Sequence, residues 1–252
     1  MSAVLVIAGT DSSGGAGLAR DLHTLAAFRT QAMCAVTAVT VQSDSRVIAV
    51  HPLPPDTVRA QIEAALATGR VGAIKIGMLG TRAIALTVAA CLPPREQVPL
   101  VLDPVLASSS GAALLDPLGR EVLRESLVPR ATLVTPNIPE AAALLGAEPA
   151  TTEEEVLRQA HAWLALGPAA VLIKGGHGSA SEAVDLLLSA GGSPRRLVAS
   201  RSAKTQRGTG CALASGIAAG LAAGLELGEA CARAKRHVLE LLEPSHERSP
   251  GQ

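Results

Sequence analysis

Aromatic residues are almost missing from this chain: Phe28, Trp163 and no tyrosine among 252 residues. Recognition of single strands or bases by stacking therefore has no platform. An excess of one charge is missing too. Lys+Arg and Asp+Glu each number 22, a formal net charge of zero, whereas a nucleic-acid surface needs a basic excess or stripe to neutralise phosphates. The four cysteines, Cys34, Cys91, Cys211 and Cys231, include no Cys-x-x-Cys pair. Neither a zinc site nor a disulfide framework is readable, and the pattern suits a reducing compartment. No long run has membrane character; the nearest, Cys211 to Leu225, is rich in Gly and Ala and runs into acidic residues. The opening Met-Ser-Ala-Val has no basic flank ahead of its apolar run, which predicts no signal peptide. The expectation is a cytoplasmic protein that meets small molecules, with neither nucleic acid nor membrane as partner.

What is present is apolar enough, at 48% hydrophobic residues, to exclude disorder. A chain of this length buries about three quarters of its unfolded surface and needs no metal or disulfide to fold. Short β-branched runs, Ala3–Ala8, Met33–Val39, Ala73–Ile76, Leu100–Leu102, Thr132–Thr135 and Ala169–Ile173, are bounded by Gly, Pro, Asp or Asn. Such runs are what strands buried on both faces look like. Between them lie helical patterns at Gly17–Phe28, Asp56–Thr68, Arg82–Cys91, Leu118–Ser126, Pro139–Leu145 and Glu153–Leu166. Alternation of this kind predicts an α/β fold, a mostly parallel sheet with helices on both faces. Ala183–Leu188 and Arg196–Ala199 read as a hairpin, Thr40–His51 as a small β-flap, and two alanine-rich helices begin at Thr209 and Leu227. No linker divides residues 1–252, so one domain is expected, with 244–252 as a frayed tail.

Four segments carry chemistry. Ala8-Gly9-Thr10-Asp11-Ser12-Ser13-Gly14-Gly15-Ala16-Gly17 follows the first strand and opens a helix. Its backbone N–H groups suit an anionic or polar ligand, although Asp11 equally reads as the residue of a tight Asx turn. It is neither a dinucleotide fingerprint nor a Walker A loop. In Thr135-Pro136-Asn137-Ile138-Pro139-Glu140, Asn137 and Glu140 can face the crevice beyond the sheet and organise Mg²⁺ through water; they can also simply cap a helix. Lys174-Gly175-Gly176-His177 offers a lysine for a phosphate chain or a snorkelling surface cation. Arg207-Gly208-Thr209-Gly210-Cys211-Ala212 is the most specific. Gly208, Gly210 and the N–H at Cys211 form an anion hole on a helix N-terminus, where a migrating phosphoryl group needs stabilising. Cys211 in that position is expected to have a lowered thiol pKa, while the other three cysteines read as small buried residues.

Taken together, Asp-Ser-Ser-Gly-Gly-Ala-Gly, Lys75-Ile76-Gly77-Met78-Leu79, Leu102-Asp103-Pro104-Val105, Thr-Pro-Asn-Ile-Pro-Glu, Lys-Gly-Gly-His and Gly-Thr-Gly-Cys, over roughly residues 3–240, resemble the hydroxymethylpyrimidine/phosphomethylpyrimidine kinases of thiamine biosynthesis. The resemblance implies a ribokinase-like three-layer sandwich with a small β-flap, ATP and Mg²⁺ as cofactors, and a homodimer. It further implies that Gly9, Asp21, Gln42, Val105 and Cys211 line an aminopyrimidine pocket and that Cys211 assists deprotonation of the attacked hydroxyl. Gly208, Thr209 and Gly210 would hold the γ-phosphate, Asn137, Lys174 and Thr209 the nucleotide, and Asp103 with Glu140 the metal. Vitamin B6 kinases share the fold and the chemistry and form an alternative. A ligand-binding module without turnover is another, since the chain departs from the family pattern at Ser43-Asp44, Ser108-Ser109-Ser110, Gln206-Arg207 and in lacking a Gly-His-Gly-Pro tail.

Overall fold

The computed structural model describes residues 2–175, 182–200 and 206–242. Nine strands form one sheet in the order β3-β2-β1-β4-β5-β6-β7-β8-β9. They are β1 Ala3–Asp11, β2 Gln31–Gln42, β3 Val47–Pro52, β4 Val71–Ile76, β5 Leu100–Leu102, β6 Leu133–Val134, β7 Ala170–Ile173, β8 Glu182–Ser189 and β9 Arg195–Ser200. From β2 through β7 the pairing is parallel, whereas β3 at one edge and β8 and β9 at the other are antiparallel. The helices are α1 Gly17–Ala27, α2 Pro55–Leu66, α3 Arg82–Cys91, α4 Pro117–Val122, α5 Ile138–Leu145, α6 Glu153–Leu164, α7 Thr209–Ala222 and α8 Leu227–Leu242.

The period of two along β1 explains the three layers. Val4, Val6 and Ala8 face one cluster with Leu25 of α1, Ile217 of α7 and Ala234 of α8. Leu5 and Ile7 face the other, with residues of α2 to α6 that include Ile62, Val88 and Trp163. Every one of these side chains is essentially inaccessible, and each large one contributes about 1.5–3 kcal/mol by leaving water. Helix α7 is apolar on all sides because it lies between the sheet and α8. A Cβ at Gly220 would stand 2.8 Å from that of Ala230, so its small residues permit the close approach.

Local signals fix the helix starts. Thr152 and Glu155 form a reciprocal capping box at α6, Thr81 caps α3, and Gly146 closes α5 in a left-handed turn. Two elements differ from their expected extent. The segment read as a flap is the continuation of β2 to Gln42 and its antiparallel return along β3, part of the main sheet. The helix read as Leu118–Ser126 is α up to Val122 and then widens into a π turn over Leu123–Leu127, which carries Leu123 and Leu127 into the core. The tail from 244 onward lies outside the described residues.

Candidate active site

Strand order reverses between β1 and β4, because β2 and β3 extend from one side of that pair and β5 to β7 from the other. Ligands of open α/β sheets bind beyond the carboxyl ends of strands at such a point. The motifs singled out from the sequence meet there: the turn after β1, the ends of β4 and β5, Asn137 after β6, Lys174 after β7, and the N-termini of α1 and α7.

On the β1–β2 side, Asp11 makes an Asx turn, its Oδ1 accepting from the Ser13 N–H at 2.9 Å and the Ser13 hydroxyl at 2.8 Å. Gln42 ends β2, and its backbone exchanges hydrogen bonds with the Ser12 hydroxyl, both at 2.8 Å. Its side chain borders a cleft of about 240 Å³ shared with Asp44, Ser45, Arg46, Ser109, Ser110 and Arg207. Gly9 is buried with the Met78 sulfur 2.9 Å from where a Cβ would stand, and Val105 packs on the cluster of Met78, Ala38 and Leu114. Met78 is thus an apolar floor common to Gly9 and Val105, a role the sequence reading did not assign.

Asp21 departs from its expectation as a pocket-lining residue. It has no exposed surface. Both oxygens accept from the Lys75 ammonium at 2.9 Å, and Oδ1 also accepts from the Ser215 hydroxyl at 2.7 Å. Burial pushes the Asp21 carboxyl up while Lys75 and Ser215 pull it down. For Lys75, burial works against the charge, but Asp21, Cys211 and Asp103 outweigh it and hold the ammonium protonated.

Across the crevice stands a second lysine. Lys174 is no snorkelling cation: its Nζ donates to Asp103 Oδ1 at 2.9 Å, and Asp103 is buried. Burial lowers the Lys174 pKa, yet Asp103 and Glu140 leave it raised overall. Asn137 and Glu140 are a helix cap, with the Asn137 side chain accepting from the Glu140 N–H at 2.8 Å and Glu140 Oε2 accepting from the Asn137 N–H at 2.9 Å. Burial raises the Glu140 pKa, Lys174 lowers it, and Asp103 raises it. A Cβ on Gly210 would stand 3.1 Å from Lys174 Nζ and 3.7 Å from Asp103 Oδ2, so cation, carboxylate and anion hole converge. Among the described residues no set of three His, Cys, Asp or Glu forms a closed metal cage. Two hard carboxylates without a third fit a largely hydrated Mg²⁺ that takes its other ligands from phosphate and water. Gly176 and His177 lie outside the described residues.

Helix α7 begins behind Gly208, whose φ is +75° and whose missing Cβ lets Gly15 O approach. Cys211 follows in the first turn. Its thiol is a correction: burial pushes the pKa up to about 11, with Asp21 and Asp103 adding to the rise against Lys75 and the Gly17 N–H. Cys211 is half-buried, and the water it loses together with the two carboxylates outweighs its place at the helix start. Cys34 is a second correction, being exposed on β2, while Cys231 is buried and Cys91 partly so.

With this geometry, comparison with known proteins is informative. Residues 11–252 match the family model described as phosphomethylpyrimidine kinase. The hydroxymethylpyrimidine/phosphomethylpyrimidine kinase of Salmonella typhimurium is 41% identical over 231 residues, 92% of this chain and 87% of that protein. The crystal structure of phosphomethylpyrimidine kinase from Clostridium difficile superposes with a TM-score of 0.85 at 37% identity, covering 96% of this chain and all of that one. Pyridoxal kinase from Staphylococcus aureus in complex with AMP-PCP and pyridoxal superposes equally well, TM-score 0.85 at 33% identity, covering 95% of this chain and 87% of that one. The fold is accordingly that of the ribokinase-like pyrimidine and pyridoxal kinases, and the chain belongs to the phosphomethylpyrimidine kinase family.

Proposed function

We propose that this protein phosphorylates the 5-hydroxymethyl group of 4-amino-5-hydroxymethyl-2-methylpyrimidine with ATP and Mg²⁺, and then phosphorylates the monophosphate, in thiamine biosynthesis. The observation that carries the reading is the convergence of Lys174 and Asp103 on Gly210 at the start of α7, one residue before Cys211. The names of the Salmonella and Clostridium relatives support the same substrate.

Gly9, Val105 and Gln42 line the pyrimidine side, and Gln42 has both a donor and an acceptor for a ring nitrogen and its amino neighbour. Asp21 acts from beneath, by holding Lys75 under Cys211. On the nucleotide side, Asn137, Thr209 and Lys174 bind the phosphates, and Asp103 with Glu140 holds a hydrated Mg²⁺ that neutralises phosphate charge. N–H groups from Gly208 to Gly210 meet the γ-phosphoryl as its bond to ADP breaks and the bond to the acceptor oxygen forms. In a loose transition state the hydroxyl proton leaves late, so the minor thiolate form of Cys211 need only take it, becoming the thiol, as the new O–P bond completes, and positioning supplies most of the rate. The protein works in the cytoplasm as a homodimer; exposed Val39 and Val41 on β2 and Ile48 on edge strand β3 are the apolar surface that a second copy would cover.

Turnover of ATP with the pyrimidine alcohol and, in parallel, with pyridoxal tests the reading. ADP release dependent on the pyrimidine, with mono- and diphosphate products by mass spectrometry, is expected. Faster turnover of pyridoxal would make the protein a vitamin B6 kinase, and no turnover of either would make it a binding module.

A further inference from the structure

Arg207 belongs to none of the roles above, yet its side chain is only 19% exposed. One guanidinium nitrogen donates to Asp11 Oδ2 at 2.8 Å; the other donates to the Ser13 hydroxyl at 2.9 Å and to the Ser43 carbonyl at 3.1 Å. Asp11 is 4% exposed at its side chain, so this pair escapes the screening that makes surface ion pairs weak. The further contact to Asp44, at 3.6 Å to a carboxylate 93% exposed, adds little by the same argument. Three separate segments are therefore joined by one fork: the turn after β1, the β2–β3 turn, and the residue before the Gly208 anion hole. Close packing reinforces the join, since the open Cβ position of Gly15 lies 3.3 Å from the guanidinium.

We infer that Arg207 is the positioning residue of the acceptor side: it clasps the glycine-rich turn to the β2–β3 turn and so fixes the wall that carries Gln42. The inference rests on the proposed reading of that side as the acceptor pocket. Bonds to a charged, largely desolvated fork are stronger than neutral ones, and a planar fork with several donors is required, because a lysine ammonium is a point charge that cannot span Asp11 and Ser43 together. The nucleotide side has its own pair in Lys174 and Asp103 and does not depend on the clasp.

Hydrogen exchange on the ligand-free protein tests the clasp, and steady-state kinetics tests its purpose. In Arg207→Gln, amides of segments 12–17 and 43–46 should exchange together about tenfold faster or more, as expected on losing charge-assisted bonds. Arg207→Lys should loosen 43–46 alone, since it keeps the Asp11 pair. Asp11→Asn in the Arg207→Gln background should add nothing further. Exchange that is unchanged in Arg207→Gln, or raised in only one of the two segments, overturns the clasp. With the acceptor that the wild type phosphorylates, Arg207→Gln should raise KM for the acceptor about tenfold while KM for ATP stays within about twofold. Equal rises in both would show a structural role only. Should the wild type phosphorylate neither alcohol, the proposed function falls, whereas the exchange data still decide the clasp.

Discussion

Two lysine–aspartate pairs stand close enough to Cys211 to act on its thiol, and they differ in what they leave unused. Lys75 and Asp21 are both 0% exposed, the ammonium meets both oxygens, and Ser215 completes the carboxylate. Lys174 and Asp103 have the same 2.9 Å contact but keep 14% and 3% of their side chains exposed. There the Lys174 ammonium and the Thr135 hydroxyl share Asp103 Oδ1, and Oδ2 is left facing Gly210. A sealed pair is out of reach of a ligand. It serves as a fixed, neutral support, and buried pairs of this kind owe their importance to the charge left behind when one partner goes. An open pair can exchange part of its bonding for phosphate or metal. Each carboxylate holds a hydroxyl on Oδ1, so the difference lies in the lysine, which takes both oxygens of Asp21 but only one of Asp103.

The largest expected effect breaks the sealed pair. Asp21→Asn leaves the buried Lys75 ammonium without its carboxylate and should cost about 3–5 kcal/mol of stability by urea denaturation. The double variant Asp21→Leu/Lys75→Met should recover most of that loss, because no charge remains to be buried. A single variant as stable as the wild type would mean that water reaches the pair. Breaking the open pair should act chiefly on rate. Lys174→Met should lower kcat/KM for ATP by about 10²–10³-fold, with a loss of stability smaller than that of Asp21→Asn because this pair keeps some access to water. A large fall in stability with normal kinetics would reverse the assignment of the two pairs.

The contrast also shows what was legible beforehand. The parallel core could be read because β5, β7 and the first six residues of β1 are uninterrupted apolar runs that need burial on both faces, and β4 is broken only by Lys75. The full length of β2 could not, since Thr40 to Gln42 and the polar residues after them look like loop chemistry. In the structure the Thr40 hydroxyl reaches the Thr10 carbonyl of β1, as the Thr37 hydroxyl reaches the Met78 carbonyl just past β4. Asn137, Lys174 and Gly208 to Cys211 could be placed from turn chemistry at strand and helix ends. The Lys75–Asp21 pair joins residues 54 apart, and no spacing rule links them. Its one signal was a lysine inside an apolar strand, which must have a buried partner. Likewise the Cys211 thiol was misjudged because a helix N-terminus is visible in sequence, whereas the burial and the two carboxylates around it are not.

Cys211 feels both pairs, and its titration sharpens the comparison. A thiol with its pKa raised to about 11 is neutral at pH 7, and its thiolate fraction grows tenfold per pH unit up to that value. Should the thiolate be the base, kcat will climb with a slope near one in log units from pH 7 to 9, and Cys211→Ala will both flatten the profile and lose about 10²-fold, the low end for a general base. A flat wild-type profile with a full-rate Cys211→Ala enzyme would remove the thiol from the reaction and leave positioning by the two pairs as the whole of catalysis.

Gln42 gives the smallest effect and the cleanest separation of the two sides. Its side chain borders the cleft beside Ser109, Ser110 and Arg207, with Oε1 3.2 Å from the Thr40 hydroxyl, and nothing joins it to Lys174 or Asp103. Leucine of similar size keeps the wall but removes the donor and the acceptor that would meet a ring nitrogen and its amino group. An aminopyrimidine then brings polar edges to an apolar contact, at a cost of about 1–3 kcal/mol, or about a tenfold to hundredfold weaker Kd. ATP, which the proposed function places at the open pair and the start of α7, should bind as before. Calorimetric titration of Gln42→Leu with each ligand separately measures both. Parallel losses for the two would mean that the sides are not independent, and no loss for either would place Gln42 outside the pocket.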